Sequence, residues 1–578
     1  MGKRLNAFNT RKYILGHWDS EEIMIRAEKT ERRLTVAHLV GLILLLLIVA
    51  ACTQSPSHNI PPGLGAPSIQ PDNTVVRIEG GTIEGTVSRK VLSFKGVPFA
   101  APPTGPYRWR APQPVIPWTG VRKAAMFGHD CMQAIETSAA TTPNSSPSED
   151  CLVLNVWRPA HQEPGERLPV LVWIHGGAYV NGGTSTPLYD GSAFARQGLI
   201  VVSINYRLGR FGFFAHPALI SANEGPIGNF GYMDQIAALR WVQRNIAAFA
   251  GDSHQVTLIG ESAGGDSVMH LLTSPQTTGL FQRAIVMSGH GRMHALGGYT
   301  LSGGTPQKPS ADQIGVNFAK SLGIIDTGPR ALSALRDLPA DKICGDLSTS
   351  WLLRSTLGPP TYAKGAIVDG SIVITSPEEM LRRKKANKVP LMIGTTSQDL
   401  SPAVPPSAKD PLAYFGLNTK QARALYKADG LLMPNDMYAA AGADMTMHEP
   451  ARFVAHQMTQ AGMPVWLYRF SYVADSLRPK IRGAAHASEL PFVFGTLLAR
   501  YGEAVTERDR RTESSVNAYF ANFAKHGDPN GAGLPTWPTF DPGRSDLMMF
   551  TMDNGPVIIP DPLKERLDLV EQAAKAWR

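Results

Sequence analysis

The sequence lacks the features that mark several large classes of protein. No internal repeat with a period of about 20–50 residues is apparent, which argues against a solenoid or a propeller. No metal cluster, dinucleotide fingerprint or nucleic-acid motif stands out, so no metal, cofactor or nucleic-acid partner is implied. Part of the net charge of +8 lies near the N-terminus, and the basic run at 382–385 fits a solvated helix face.

One apolar run near the N-terminus is typical of a secretory signal. Residues 39–51 follow a basic segment and are short for a membrane-spanning helix, which needs about 20 residues. The run ends in Val-Ala-Ala-Cys52, which resembles the bacterial lipoprotein box, in which the cysteine is lipidated and becomes the first mature residue. An ordinary signal peptide or an uncleaved anchor is the alternative. A true start at Met24 would give a leader of normal length.

These features divide the chain into three parts. We predict a leader with a lipoprotein-type signal at 1–52, a flexible Pro/Gly/Ser tether at 53–75, and a single large domain at 76–578. With 43% hydrophobic residues the chain can bury a large core. We expect an exported bacterial protein that is attached to a membrane by its lipid, facing the periplasm or the cell surface, or that is secreted. Its oligomeric state stays open.

Cysteine is scarce, with four in 578 residues. Cys131 and Cys151 flank a polar loop that a disulfide would staple, which suits the oxidising compartment of an exported protein. Cys344 is the odd one out and is expected to be a buried thiol.

A glycine-flanked serine follows an apolar stretch in the middle of the chain. Residues 256–259 predict a buried strand, and a helix can begin at Ala263. Between them, residues 260–264 (GESAG) fit G-x-S-x-G, the turn that lifts a serine hydroxyl, here that of Ser262, above the end of a sheet. In a chain with 55 glycines the pattern alone is weak, because a glycine-rich strand–helix turn without chemistry fits it equally well.

A catalytic serine needs a base and an orienting acid, which in α/β-hydrolases follow in the order serine, acid, histidine. His486, in a loop-like segment before an apolar run, is the best candidate base. Asp399, in the polar turn after an apolar strand at 389–393, is the candidate acid. A surface-loop histidine and an ordinary turn aspartate remain the alternatives.

A second glycine cluster supplies an independent check. The apolar stretch 168–174 runs into HGGA at 175–178, which is an HGGG-type loop upstream of the serine. Small residues let backbone N–H groups approach a developing oxyanion. Two strand-end glycine clusters of the required types, in the required order, indicate a serine hydrolase.

With these residues in view, the sequence from about 76 to 560 resembles the type-B carboxylesterase family, the cholinesterase-like branch of the α/β-hydrolases, and its bacterial para-nitrobenzyl-esterase-like members. The resemblance implies the α/β-hydrolase fold: a large, mostly parallel central sheet flanked by helices, with long insertions. It is carried by ordered blocks: FKGVPFAAPP (94–103), SEDCLVLNVWRP (148–159), WIHGGAY (173–179), NYRLGRFGF (205–213), GNFGYMDQIAALRWVQRNIAAFAGD (228–252), GESAGG (260–265), GTTSQD (394–399), HASELPFVFG (486–495) and NFAKHGDPN (522–530).

The resemblance also implies roles for single residues. Ser262 would be the nucleophile, His486 the general base and acid, and Asp399 the orienting carboxylate, where the family usually has Glu. Other roles carried over by position are the oxyanion donors Gly177, Ala178 and Ala263, the acids near the triad Glu261 and Glu489, the salt bridge Arg108–Glu149, and the disulfide Cys131–Cys151.

The expected class of substrate is inferred from a missing aromatic cage. Residues 132–150 contain no Trp, Tyr or Phe, whereas a choline site needs an aromatic cage, so we expect small, fairly apolar esters. Tyr179 either lines the pocket or packs behind it. The alternatives are a catalytically silent cholinesterase-like adhesion or scaffold protein, which retention of the triad argues against, and an amidase or lipase with the same triad.

Overall fold

The computed structural model describes residues 74–135, 145–292, 297–352, 358–400, 410, 412–553 and 555–576, which all belong to one structural unit, Pro71–Arg578. The predicted leader, its Cys52 and the tether up to residue 73 lie outside the described residues. Within the described ranges, no helix combines the length and the apolar character needed to span a membrane.

Strands are spread along the whole described chain. They are β1 (Val75–Ile78), β2 (Gly81–Glu84), β3 (Thr86–Ser88), β4 (Val91–Pro98), β5 (Val121–Lys123), β6 (Val153–Pro159), β7 (Leu168–Ile174), β8 (Ile200–Ile204), β9 (Phe213–Phe214), β10 (Gly228–Asn229), β11 (Gly251–Glu261), β12 (Arg283–Met287), β13 (Gly297–Thr300), β14 (Ala366–Val368), β15 (Leu391–Thr396), β16 (Val465–Phe470), β17 (Asp546–Phe550) and β18 (Pro556–Pro560).

Helices alternate with these strands. They are α1 (Ser192–Ala195), α2 (Gly209–Gly212), α3 (Pro217–Ala222), α4 (Phe230–Asn245), α5 (Ala263–Leu272), α6 (Ala311–Ser321), α7 (Pro329–Arg336), α8 (Ala340–Cys344), α9 (Thr349–Leu352), α10 (Pro377–Arg382), α11 (Thr419–Ala428), α12 (Pro434–Ala443), α13 (Glu449–Gln460), α14 (Leu490–Phe494), α15 (Leu497–Tyr501), α16 (Glu507–His526) and α17 (Lys564–Ala576). Short 3₁₀ turns cover Gly105–Tyr107, Pro187–Tyr189, Ile246–Phe249, Pro275–Thr277, Ala413–Asn418 and Gly502–Ala504, and a π turn covers Asp444–His448.

The largest sheet in the described part of the chain has eleven strands, in the order β18-β17-β16-β15-β12-β11-β7-β8-β6-β4-β3. The strands from β8 to β17 in this order pair in parallel. The outer strands β3, β4, β6 and β18 pair antiparallel. The predicted α/β-hydrolase fold with a mostly parallel sheet is confirmed.

Both faces of this sheet are buried, as β7 illustrates. Its side chains alternate between two hydrophobic clusters: Val170, Val172 and Ile174 join one, whereas Leu171 and Trp173 join the other. Helix α4 contributes to the first cluster and α16 to the second. Because helices cover each face, the central strands are almost continuously apolar, as expected for a parallel sheet.

The sheet brings distant parts of the chain to one edge. The neighbouring parallel strands β7, β11, β12, β15 and β16 end there, and in open α/β sheets ligands bind at the carboxyl ends of the strands. That edge carries the loop after Ile174, then Ser262, Ser288 and Asp399, and finally the segment that leads from β16 to His486.

A buried ion pair fixes the loop between β8 and α2. Arg207 Nε and Nη2 each donate to Asp234 at 2.8 Å, and the backbone N–H of Arg207 donates to the same carboxylate at 3.0 Å. Both side chains are almost completely buried. Removing one partner of such a pair leaves an uncompensated buried charge.

We therefore expect Arg207→Ala to lower the free energy of unfolding by about 3–5 kcal/mol. The matched control is Arg244→Ala, which removes an exposed ion pair with Glu79 and should cost less than about 1 kcal/mol. Urea unfolding followed by tryptophan fluorescence measures both. Equal losses in the two variants would contradict this account of the buried pair.

Candidate active site

The site is built around a sharp turn at Ser262. The predicted strand and helix are confirmed: β11 ends at Glu261 and α5 begins at Ala263. Between them Ser262 has φ +56° and ψ −124°, a conformation that L-residues rarely adopt. The Ser262 N–H donates to Met287 O at 2.9 Å, and its carbonyl accepts from the N–H of Asp266 at 2.8 Å. The turn therefore raises the hydroxyl above the sheet edge at a conformational cost that the surrounding bonds offset.

The glycines around Ser262 are required by close backbone contacts. A Cβ on Gly264 would lie 2.1 Å from Ile174 O, at the end of the neighbouring strand β7. A Cβ on Gly260 would lie 2.3 Å from Gly264 O. Any other residue at either position would push β7, β11 and α5 apart.

Three residues predicted from the sequence meet above this turn. His486 Nε2 lies 2.8 Å from Ser262 Oγ, and His486 Nδ1 lies 2.6 Å from Asp399 Oδ1. In the neutral imidazole, Nδ1–H donates to the carboxylate and Nε2 accepts from the serine hydroxyl. Ser262 is 9% exposed.

The carboxylate of Asp399 is held on both oxygens. Oδ2 accepts from Ser288 Oγ at 2.7 Å and from the Thr396 N–H at 3.0 Å, and Oδ1 also accepts from the Leu400 N–H at 2.8 Å. Burial alone would raise the pKa of Asp399, but the charge of His486 and the hydrogen bonds from His486 and Ser288 bring the pKa well below its usual range. Asp399 therefore stays ionised.

Sequence reasoning missed Ser288. Its position after β12, the strand between β11 and β15, places its hydroxyl beside Asp399. The available signal was a serine at the end of the apolar stretch RAIVM, which becomes informative only when the order of strands in the sheet is known.

Two further buried carboxyl groups surround His486. Glu261 Oε1 lies 3.2 Å from His486 Nε2, and burial raises the pKa of Glu261. Burial also raises the pKa of Glu489, whose side-chain oxygens receive no hydrogen bond from another residue in the described structure, so burial favours its protonated form. For His486, burial would lower the pKa, but the carboxylates of Glu261 and Asp399 outweigh it and raise the pKa to about 9.

The second glycine cluster runs directly beside the serine. A Cβ on Gly176 would lie 3.0 Å from Ser262 Cβ. The next two residues continue the loop with positive φ, +106° at Gly177 and +52° at Ala178. Ala263, at the first position of α5, directly follows Ser262, so the residues predicted as oxyanion donors lie in the loop that passes Ser262 and in the helix that begins after it.

The remaining predicted residues lie around this centre. Cys131 and Cys151 form a disulfide, Cys344 is a buried free thiol, and Arg108 Nε donates to Glu149 Oε2 at 2.8 Å. Tyr179 is completely buried, so it packs behind the loop and does not line an open pocket. Across the described ranges, no group of three or more His, Cys, Asp or Glu side chains could hold a metal ion.

A serine, histidine and aspartate joined in this way at the carboxyl edge of a mostly parallel sheet define a serine hydrolase of the α/β-hydrolase class. Comparison with known families is more specific. The model of the carboxylesterase family matches residues 72–432 and 433–566, and the chain belongs to this family.

Relatives and solved structures agree with that assignment. The chain is 34% identical to carboxylesterase 1D of Rattus norvegicus, covering 86% of this chain and 91% of the rat protein. It is 36% identical to the cocaine esterase of Homo sapiens, covering 79% of this chain and 83% of the human protein. It is 34% identical to the para-nitrobenzyl esterase of Bacillus subtilis, covering 85% of this chain and 97% of the bacterial protein. A solved structure of PNB esterase superimposes with a TM-score of 0.72 at 32% identity, covering 86% of this chain and 99% of that one. The protein is a serine carboxylesterase, an enzyme that hydrolyses carboxylic esters.

The carboxylates around His486 lead to a pH prediction. Because Glu261 helps to raise the pKa of His486, Glu261→Gln should lower that pKa. Ester hydrolysis through His486 needs its neutral form, so the acidic limb of kcat/KM should move to lower pH, by up to about one unit. The measurement is a pH–rate profile of a soluble ester for both proteins.

The control is Glu565→Gln, which removes an exposed carboxylate of α17. We expect its acidic limb to coincide with that of the wild type. A limb that stays in place in Glu261→Gln would mean that Glu261 carries no charge near His486 in the working enzyme.

Proposed function

We propose that Ser262 is the nucleophile of this carboxylesterase and that His486 is its general base and acid. Asp399 orients the histidine and stabilises its protonated form. The observation that carries the proposal is the unbroken hydrogen-bonded chain from Ser262 Oγ through His486 to Asp399. A serine hydroxyl is a poor nucleophile until a base removes its proton, and this arrangement supplies the base.

The reaction follows from these contacts. Ser262 Oγ attacks the ester carbonyl while its proton passes to His486 Nε2, and Asp399 stabilises the imidazolium. Nε2 then returns the proton to the departing alkoxide, so an alcohol leaves and an acyl-serine remains. Water repeats the sequence on the acyl-serine, giving the carboxylic acid and free Ser262.

The charge that develops on the carbonyl oxygen needs donors on the other side of the serine. We assign this role to the backbone N–H groups of Gly177, Ala178 and Ala263, which flank Ser262. Each such donor is typically worth about 3–4 kcal/mol of barrier. Ala178 keeps the role in spite of its methyl group, because the donor is the backbone.

Ser262→Ala should lower kcat by a factor of about 10⁴–10⁶ and leave the fold intact, because the alanine variant has no nucleophile. A fluorophosphonate should label the wild type at Ser262, as read by peptide mass spectrometry. The matched control is Ser288→Ala, which loses a hydrogen bond to Asp399 but should still be labelled. Labelling at another serine, or full turnover without Ser262, would refute the assignment.

For the substrate we favour small, fairly apolar esters. The loop 132–150 offers no aromatic side chain for a choline cage, and the relatives include enzymes named for para-nitrobenzyl and cocaine esters. A panel of nitrophenyl esters of rising acyl length, a choline ester, an emulsified triglyceride and an anilide tests this preference, with Ser262→Ala as the background. Preferred turnover of the emulsion or the anilide would favour a lipase or an amidase.

We also propose that the enzyme is exported and held at a membrane by lipid on Cys52. The apolar run 39–51, the small residues before the cysteine and the Pro/Gly/Ser stretch behind it support this proposal. Two or more acyl chains give stable attachment, and a tether of about 20 residues would let the domain stand off by roughly 25 Å.

Cys52→Ala should abolish lipid attachment and move the enzyme from the membrane fraction to the soluble fraction after the signal is cleaved. Cell fractionation and the mass of the N-terminal peptide measure both effects. Cys344→Ala is the control, since it removes a buried thiol and should leave the enzyme at the membrane. A mature N-terminus beyond Cys52 without lipid mass would leave an ordinary secreted esterase.

A further inference from the structure

Tyr179 directly follows the glycine loop and has an unusual backbone. Its φ is +62°, and with Gly177 and Ala178 it makes three successive residues with positive φ. A left-handed conformation is uncommon for any residue other than glycine and costs more for a bulky side chain. Such a loop persists only where its surroundings hold it in place.

The contacts of the Tyr179 side chain keep this loop in place. Its hydroxyl donates to Asp266 Oδ2 at 2.9 Å, which uses the single proton of the Tyr179 hydroxyl. The Tyr232 hydroxyl, 2.9 Å away, must then donate to Tyr179. The ring packs edge-on against Phe213 with centroids 4.9 Å apart, and Gly209 N–H donates to Tyr179 O at 2.6 Å.

Asp266 belongs to the helix that starts beside the nucleophile. It lies in the first turn of α5, four residues after Ser262, and is buried. His270 and His290 approach its carboxylate only to 3.8 Å, which is too far for a hydrogen bond. Burial raises the pKa of Asp266 to about 7, whereas the bond from Tyr179 lowers it. The chain therefore keeps a buried carboxylate, which is costly, at the point where the tyrosine reaches α5.

The hydrogen bond thus connects the two halves of the oxyanion site. Gly177 and Ala178 belong to the loop that Tyr179 ends, and Ala263 belongs to the helix that carries Asp266. We propose that Tyr179 and Asp266 are positioning residues, which hold the loop donors and the helix donor at the separation that the transition-state oxyanion requires. This inference rests on the proposed function of Ser262 and its oxyanion donors.

The role predicts a specific kinetic change. Tyr179→Phe keeps the ring and removes only the hydroxyl, so the substrate pocket is unchanged while the donors lose their alignment. We expect kcat for 4-nitrophenyl butyrate to fall by about 10-fold or more, less than the roughly 10²–10³-fold loss of one whole donor. KM should stay within about 2-fold of the wild type, because the loss concerns the transition state.

An inhibitor separates positioning from general stability. An aryl trifluoromethyl ketone adds to the catalytic serine and places an oxyanion in the site, so its affinity should fall by the same factor as kcat. The control is Tyr519→Phe, which removes the hydrogen bond that Tyr519, a buried tyrosine of α16, donates to Pro535 O. It should lower the melting temperature comparably and leave kcat and the inhibitor affinity unchanged.

A second pair of variants tests the partner. Asp266→Asn keeps an acceptor oxygen for the Tyr179 hydroxyl and should lose less kcat than Asp266→Ala. Combining Asp266→Ala with Tyr179→Phe should cost little more than Tyr179→Phe alone, because Tyr179→Phe already breaks the bond to Asp266 together with the contacts to Tyr232 and Ser267.

Wild-type kcat and inhibitor affinity in Tyr179→Phe, or losses in Tyr179→Phe and Asp266→Ala that simply add, would overturn the inference. The proposed function would still stand if the wild type remained labelled at Ser262. Absence of that label would instead refute the proposed function itself.

Discussion

The active site depends on one steric constraint, the close approach of three backbones at Ser262. A Cβ on Gly264 would lie only 2.1 Å from Ile174 O, so the end of β7 and the first turn of α5 are in direct contact. This contact places the loop after β7 beside the nucleophile and leaves room for only one path of the chain. This path forces Ser262 into a backbone conformation with positive φ, which is unfavourable for a residue other than glycine. The packing of the buried strands on either side offsets that conformational energy.

Electrostatics then divides the acidic groups around His486 by their partners. Both oxygens of Asp399 accept hydrogen bonds, which favour its charged form, whereas Glu489 receives no hydrogen bond from another residue in the described structure and burial favours its protonated form. Glu261 lies between these extremes, close to the imidazole nitrogen that faces Ser262. Three carboxyl groups within one buried region thus have three different environments, and their protonation follows from contacts and not from residue type.

Much of this arrangement could be predicted from sequence because its signals are local. The strand, turn and helix at Ser262 and the glycine loop after β7 each lie within one short segment. Asp399 and His486 needed the resemblance to a family, since no local pattern distinguishes them from ordinary loop residues. The contact of Ser288 with Asp399 could not be predicted, because it depends on which strands are neighbours in the sheet. The Tyr179–Asp266 hydrogen bond could not be predicted either, because it joins side chains 87 positions apart in the sequence. The strand before Asp399 also begins later than its apolar pattern predicted, at Leu391, with polar Thr396 inside it.

The order of the strands has a consequence for synthesis of the chain. His486 follows Ser262 by 224 residues, and β16 and β17 must join the sheet beyond β15. At about 5–20 residues per second, roughly 10–45 s pass between translation of the two residues. During that interval the growing polypeptide carries its serine without a base. A polypeptide that ends before His486 therefore has the nucleophile without its base, and premature termination yields products without esterase activity.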